Sequence, residues 1–381
     1  MTQPLILRIP AARRLVAALL TLVTCLTLPA LAEGAVTRKK SIWGPPHLKG
    51  TSQFPMYADL GVGLYQTAIN WNGTARWRPS DPRNPNDPAY AWPDSIDYSI
   101  QEAQKYGMEV SVMLMWTPPW ANGGKDPRWA PERPEDYADF AAAAARRYPQ
   151  VRHWMMWGEP CRGENFQPLT RERLGRPLRG EQRTAPRTYA RMLDAAYVAL
   201  KQVSRRNLVI GGNTWTVCDI SPLNWIRELR LARGKRPRMD LYGHNPFTGR
   251  KPNLRDKPSF PKYGWADFSD LDTLAGWLDR YHRNRGQRRA RRLRLFLSEF
   301  FIPTDHPNRE TNYYVSRETQ AEWVTAGLRI TRKWGRIYTM GWFQPYDEAH
   351  PPGGQHANEM HWGLLDHLGN PKPSYFAFRN G

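Results

Sequence analysis

Two glutamates carry the chemistry that this sequence can offer. Glu159 follows the run Trp154-Met155-Met156-Trp157-Gly158, and Glu299 lies within Leu295-Phe296-Leu297-Ser298-Glu299-Phe300-Phe301. In both places an apolar stretch with the composition of a buried strand ends in a carboxylate. Such a pair suits cleavage of a glycosidic bond. One carboxyl donates a proton to the leaving oxygen, and the other, ionised, faces the anomeric carbon as positive charge develops there. A separation of about 5 Å favours direct attack with retained stereochemistry, and a wider one admits a water and inverts it.

Glutamates so far apart in the chain need a scaffold to bring them together. Apolar, β-rich stretches recur at 41–43, 63–71, 109–116, 151–157, 208–210 (leading into 211–215), 239–243, 293–300 and 337–343. Helical patterns fall between them, at 93–106, 223–231, 271–281 and 319–334. After Pro134, residues Tyr137, Phe140, Ala141 and Ala144 keep helical spacing, as do Tyr189, Leu193, Ala196, Tyr197 and Leu200 further on. About eight strand–helix units predict a parallel sheet closed as an α/β (β/α)8 TIM barrel, a single domain over 33–381. An open doubly wound sheet is the alternative, but no glycine-rich phosphate loop follows the first strand. Barrels carry their chemistry where strands end. Asn70, Trp116, Glu159, Asn213, His244, Glu299 and Trp342 all take such positions. Asn70, Asn213, His244 and Gln344 could hydrogen-bond sugar hydroxyls, with loop capping the competing role for the asparagines. Trp71, Trp116, Trp120 and Trp215 offer flat faces to sugar rings, although many of the 17 tryptophans must be ordinary core.

Trp157-Gly158-Glu159-Pro160 resembles the Trp-Asn-Glu-Pro signature that ends strand four in the large clan of retaining (β/α)8 glycoside hydrolases. Ser298-Glu299-Phe300 resembles that clan's nucleophile segment on strand seven. Thr117-Pro118-Pro119-Trp120, and the C-terminal stretch from Gly363-Leu364-Leu365-Asp366 to Lys372-Pro373-Ser374-Tyr375, are similar to segments of its cellulase-like and xylosidase-like members. The resemblance implies Glu159 as general acid/base, Glu299 as nucleophile, Trp342 as the floor of the central sugar site, and no cofactor. The acid should then sit among aromatics with a raised pKa, and the nucleophile should receive hydrogen bonds that keep it ionised. Two departures stand out. Gly158 replaces the usual asparagine, whose amide contacts the sugar 2-hydroxyl. In His244-Asn245-Pro246-Phe247, a phenylalanine stands where a tyrosine often supports the nucleophile. Both leave room for a second reading, a glycan-binding protein on a degenerate barrel.

The first 32 residues read as a signal peptide. Arg8, Arg13 and Arg14 form the positive region, 15–28 is apolar, and Ala30-Leu31-Ala32 has the form of a cleavage site. The apolar run falls short of the roughly 20 residues that a membrane span needs. The expectation is a secreted or wall-associated protein without stable membrane insertion. Export leaves Cys161 and Cys218, each just past a strand end on neighbouring strands, as a candidate disulfide or as two inert thiols.

The formal charge is +20, concentrated in residues 283–294 with seven arginines and in 162–187 with seven arginines against three glutamates. An oligo- or polysaccharide is the expected partner, with an anionic one suggested by the second cluster and a solvated arginine surface the alternative. No nucleic-acid motif accompanies the charge, so no nucleic-acid partner is expected. His350, His356 and His361, with Asp347 and Glu359, match no standard zinc spacing, and no metal is assigned. A serine-hydrolase elbow is absent from the sequence.

Overall fold

The structure is a computed structural model that describes residues 36–256, 258, 260–282, 292–349 and 359–381. The leader, most of the 283–294 basic cluster, His350 and His356 lie outside the described residues. Eight parallel strands close into a barrel. They are β1 (Thr37–Trp43), β2 (Val62–Asn70), β3 (Glu109–Met115), β4 (His153–Met156), β5 (Leu208–Trp215), β6 (Leu241–Asn245), β7 (Arg294–Phe300) and β8 (Ile337–Phe343). Each strand is followed by a helix: α1 (Phe54–Asp59), α2 (Asp94–Lys105), α3 (Pro134–Arg147), α4 (Thr184–Val203), α5 (Pro222–Glu228), α6 (Leu271–Tyr281), α7 (Arg317–Lys333) and α8 (Pro373–Asn380). The barrel expected from the alternation is therefore the one observed. No described helix is long and apolar enough to cross a membrane.

Local chemistry explains the helices. In α3, Pro134 occupies the first turn with Glu135 and Asp136, and Arg146 and Arg147 the last turn, an order that complements the helix dipole. Its buried face contains Tyr137, Phe140, Ala141 and Ala144, as the periodicity predicts. Before α6, the Asp267 carboxylate accepts from the Ser269 and Asp270 N–H groups. Arg250 in turn donates to Asp267.

Side chains fill the barrel. Leu64, Met155, Ile210, Leu241 and Phe296 form its interior cluster, and the larger apolar cluster lies between strands and helices. Burying each such aliphatic or aromatic group stabilises the fold by about 1.5–3 kcal/mol. Above the interior cluster is a polar layer. Gln66 Nε2 donates to the Ser298 carbonyl at 2.8 Å, and Trp43 Nε1 to Ser298 Oγ at 3.2 Å.

Two register shifts matter for the site. Leu297 of β7 opposes Met340, yet Phe300 opposes Trp342, so β7 carries one extra residue there. Gly211 opposes Tyr242 and Thr214 opposes His244, so β5 does the same. Such bulges re-aim side chains at barrel rims.

Cys161 and Cys218, beyond the ends of β4 and β5, are joined as a disulfide with Cα atoms 5.5 Å apart. The bond closes a loop spanning 57 positions. Replacing both cysteines by serine is expected to lower unfolding stability by about 2–4 kcal/mol. Chemical denaturation of the double variant against the oxidised parent measures this, and unchanged midpoints would refute it.

Candidate active site

Glu159 and Glu299 face one cavity of about 260 Å³ at the C-terminal mouth of the barrel. Its lining includes Met113 and Met115 from β3, Gly158, Arg162, Trp215, Phe247, Phe301, Glu310, Phe343 and Trp362. That lies just below the range for drug-sized ligand pockets, about 300–1,000 Å³, and the mixture of apolar-aromatic wall and polar groups fits a ligand site.

The backbone reaches this arrangement by breaking strand alternation. On β7, Leu295 and Leu297 pack outward against the helices, and strict alternation would send Glu299 after them. The extra residue in β7 turns Glu299 into the cavity and Phe300 outward against Phe268 and Trp342. On β4, Trp157 has φ +71° and Glu159 φ +43°. Left-handed geometry is costly for such residues. Here it buries Trp157 beside Tyr137 and Phe166 while Glu159 turns to the cavity.

One amide ties the two glutamates together. Asn245 Nδ2 donates to Glu159 Oε1 at 2.8 Å, and Asn245 Oδ1 accepts the Glu299 backbone N–H at 3.1 Å. The other Glu159 oxygen accepts from Arg162 Nη1 at 3.0 Å. Among the described residues no donor reaches the Glu299 carboxylate. Burial raises both pKa values, Glu299 well above the carboxylate range because the neighbouring Glu159 charge adds to desolvation. For Glu159 the burial effect is opposed by Arg162 and Asn245. Of the two, Glu299 is pushed further toward its protonated form. The expected support for an ionised strand-seven glutamate is not there; the donors serve Glu159.

Several anticipated sugar contacts lie elsewhere. Trp342 is wholly buried against Phe300 and Phe378, because it shares the outward face of β8 with Met340. Phe343, one residue on, faces the cavity in its place. Trp71 is core, stacked 5.4 Å from Phe140, and Trp120 packs edge-on against it. Trp116 is half-buried with its edge against Trp157, and Asn70 and Gln344 are exposed without lining the cavity. Asn213 is wholly buried and lies outside the lining.

His244 is a structural histidine. Nε2–H donates to the Ala266 carbonyl at 2.9 Å, so Nδ1 accepts the Thr214 hydroxyl, also at 2.9 Å. Alternation along β6 puts His244 outward and Asn245 inward, so Asn245 is the functional residue that the sequence reading missed. Its signal was the two-residue period counted from Leu241. Trp362 and Phe301 were missed too. They lie on loops after β8 and β7, where no strand pattern marks them.

Burial lowers His153 to about 3 and His244 to about 4, against 6.5 in the unfolded chain. As pH falls below 6.5 the unfolded chain takes up protons at both positions and the folded barrel does not. Stability should therefore fall with pH, by about 1.4 kcal/mol per unit for each histidine. Urea midpoints from pH 7 to 5 test this, and His244→Gln should flatten the slope. A midpoint that stays level would refute neutral burial.

The histidine-rich C-terminal loop does not build a free metal cluster among the described residues. Asp305, Asp347 and His361 approach one another. Asp347, however, already binds the ammonium of buried Lys372 with both oxygens. The arginines at 171, 173, 176, 179, 183 and 187 do not line the cavity; of that cluster only Arg162 does.

Compared by sequence, the chain matches no protein-family profile and no curated protein. Compared by structure, it is similar to a family 39 glycoside hydrolase from the gut symbiont Bacteroides cellulosilyticus WH2 (TM-score 0.63, 16% identity). It is similar also to a monomeric β-xylosidase from Caulobacter crescentus CB15 (0.58, 18%) and to the GH39 enzyme from Xanthomonas axonopodis pv. citri (0.59, 15%). Each match covers 91% of this chain. The chain spans 64%, 68% and 67% of the length of those proteins, in the same order. At these identities the likeness is one of fold.

Proposed function

We propose that this chain is an exported retaining glycoside hydrolase, with Glu159 as acid/base and Glu299 as nucleophile. The observation that carries the reading is the pair of carboxylates, buried Glu159 and half-buried Glu299, joined through Asn245 at the ends of β4 and β7 beneath an aromatic-lined cavity. The glycosidases among its structural neighbours support it.

In the working cycle Glu159 protonates the leaving oxygen while Glu299 attacks the anomeric carbon, and Glu159 then takes a proton from the water whose oxygen bonds to that carbon and releases the Glu299 carboxylate. Trp215, Phe247, Phe343 and Trp362 give a sugar its apolar walls. The substrate is read as a neutral glycoside, because Arg162, the one basic group in the lining, is already bonded to two glutamates, and the β-xylosidase among the structural neighbours favours a β linkage. The leader at 1–32 and the Cys161–Cys218 bond support secretion or a wall location.

The glycan-binding alternative draws support from the same Arg162 contact, since an acid locked to a guanidinium protonates poorly. Hydrolysis of a panel of neutral and acidic aryl glycosides and polysaccharides separates the two. Turnover that disappears in Glu299→Gln supports the hydrolase. Sugar binding with equal, background turnover in both proteins supports the binder.

A further inference from the structure

Arg162 stands three residues after Glu159 and lines the same cavity. Nη1 donates to Glu159 at 3.0 Å and Nη2 to Glu164 at 2.7 Å, while Glu310 is 3.9 Å from Nη2. The guanidinium lies on Trp215, 4.4 Å from the ring centre. It therefore covers the flat face a sugar would use and the oxygen a leaving group would need. With Asn245 on the other side, both Glu159 oxygens are held by donors, and the Glu299 carboxylate has none among the described residues.

The charged groups around the pair are few. Arg162 and Glu164 come from the loop after β4, and Glu310 from the loop after β7. β3 presents only Met113 and Met115 to the cavity, with Phe247 from beyond β6, and β6 gives Asn245 to the glutamates. Where two carboxylates raise each other's pKa, as Glu159 raises that of Glu299, the proton favours the one with fewer donors.

We propose that Arg162 is a positioning residue that, by bonding Glu159, draws the shared proton toward Glu299 in the free protein, until a sugar ring seated on Trp215 displaces the guanidinium and the proton moves to Glu159. The inference rests on the hydrolase reading and adds to it the order of events. The O–H bond at Glu299 breaks and one at Glu159 forms, so the charge of the pair is unchanged. Arg162 keeps Glu164 as a partner. The free protein is then in the wrong protonation state for catalysis, and binding sets the right one.

The test is a carbon-13 titration of the intact protein labelled at glutamate carboxyls, with Glu159→Gln and Glu299→Gln providing the assignments. In the parent, Glu159 should titrate at lower pH than Glu299. Arg162→Gln should raise the Glu159 midpoint by about one pH unit or more. Arg162→Lys, which keeps the charge, should leave it near the parent value and controls for folding. A Glu159 midpoint above that of Glu299 in the parent, or one unmoved by Arg162→Gln, overturns the proposal.

Kinetics on a cleaved aryl glycoside supply the second readout. The kcat/KM profile of Arg162→Gln should move to higher pH by the same interval while the kcat profile stays in place, since these report the free and the bound protein. A uniform loss at every pH would mean a merely structural role and overturn it. Should no glycoside be cleaved, the hydrolase reading fails, and with it the step at the sugar, while the titration still decides where Arg162 places the proton.

Discussion

Glu299→Gln is expected to lower kcat/KM by about four orders of magnitude on any glycoside the protein cleaves, the scale seen when a nucleophile is removed. Glutamine has the size of the protonated acid, so the fold should be preserved, and an unchanged thermal midpoint is the control. The companion variant separates the roles. Glu159→Gln should cost about 10²–10⁴-fold on poor leaving groups, the range for general acid catalysis. It should cost far less in the first step on a dinitrophenyl glycoside, whose leaving oxygen needs no proton. Glu299→Gln should be equally damaging on both. If the leaving-group dependence belongs to Glu299 instead, the two roles are exchanged. That outcome has a physical basis, because donors gather on Glu159 and the shared proton favours Glu299.

Lys372→Met is expected to give the largest loss of stability, about 3–5 kcal/mol, the cost of leaving one charge of a buried pair without its partner. The side chains of Lys372 and Asp347 are each 1% exposed. Nζ donates to both Asp347 oxygens, at 3.0 and 3.1 Å, and to Thr304 Oγ1 at 2.9 Å. Asp347 also accepts the Gly363 N–H at 2.7 Å. The pair thus clamps the loop after β7 to the loop after β8, and these loops carry Phe301 and Trp362, packed 3.9 Å apart in the cavity wall. Activity should fall along with the urea midpoint. Adding Asp347→Asn to Lys372→Met should restore much of the stability, because no buried charge then remains. A single variant as stable as the parent would contradict the clamp.

The departure at Gly158 has a packing explanation. A Cβ there would meet Met113 Sδ at 2.9 Å, with Met115 Cε at 3.7 Å. Met113 and Met115 occupy the room an asparagine side chain would need. Apolar thioethers thus form the cavity wall at this position.

The sequence by itself determined the barrel and the candidate pair. Strand runs between helical repeats are local patterns imposed by which residues can be buried on a pleat or on one helix face. Eight of them in alternation leave little choice but closure. A carboxylate at the end of an apolar run is equally local, which is why Glu159 and Glu299 were visible. What only the tertiary structure decided was direction. A single extra residue reverses the side on which every later side chain of a strand emerges. The β7 bulge sends Glu299 inward, the positive φ at Trp157 buries that ring, and alternation along β6, and along β8 from Met340 onward, makes His244 and Trp342 structural while Asn245 turns to the two glutamates and Phe343 reaches the cavity. Bulges and left-handed residues are held in place by neighbouring strands, so a single strand's sequence does not encode them. The electrostatics are decided at the same level. Only the folded chain places Arg162 on Glu159 and Trp215, and that contact gives one of two chemically identical side chains a donor that the other lacks.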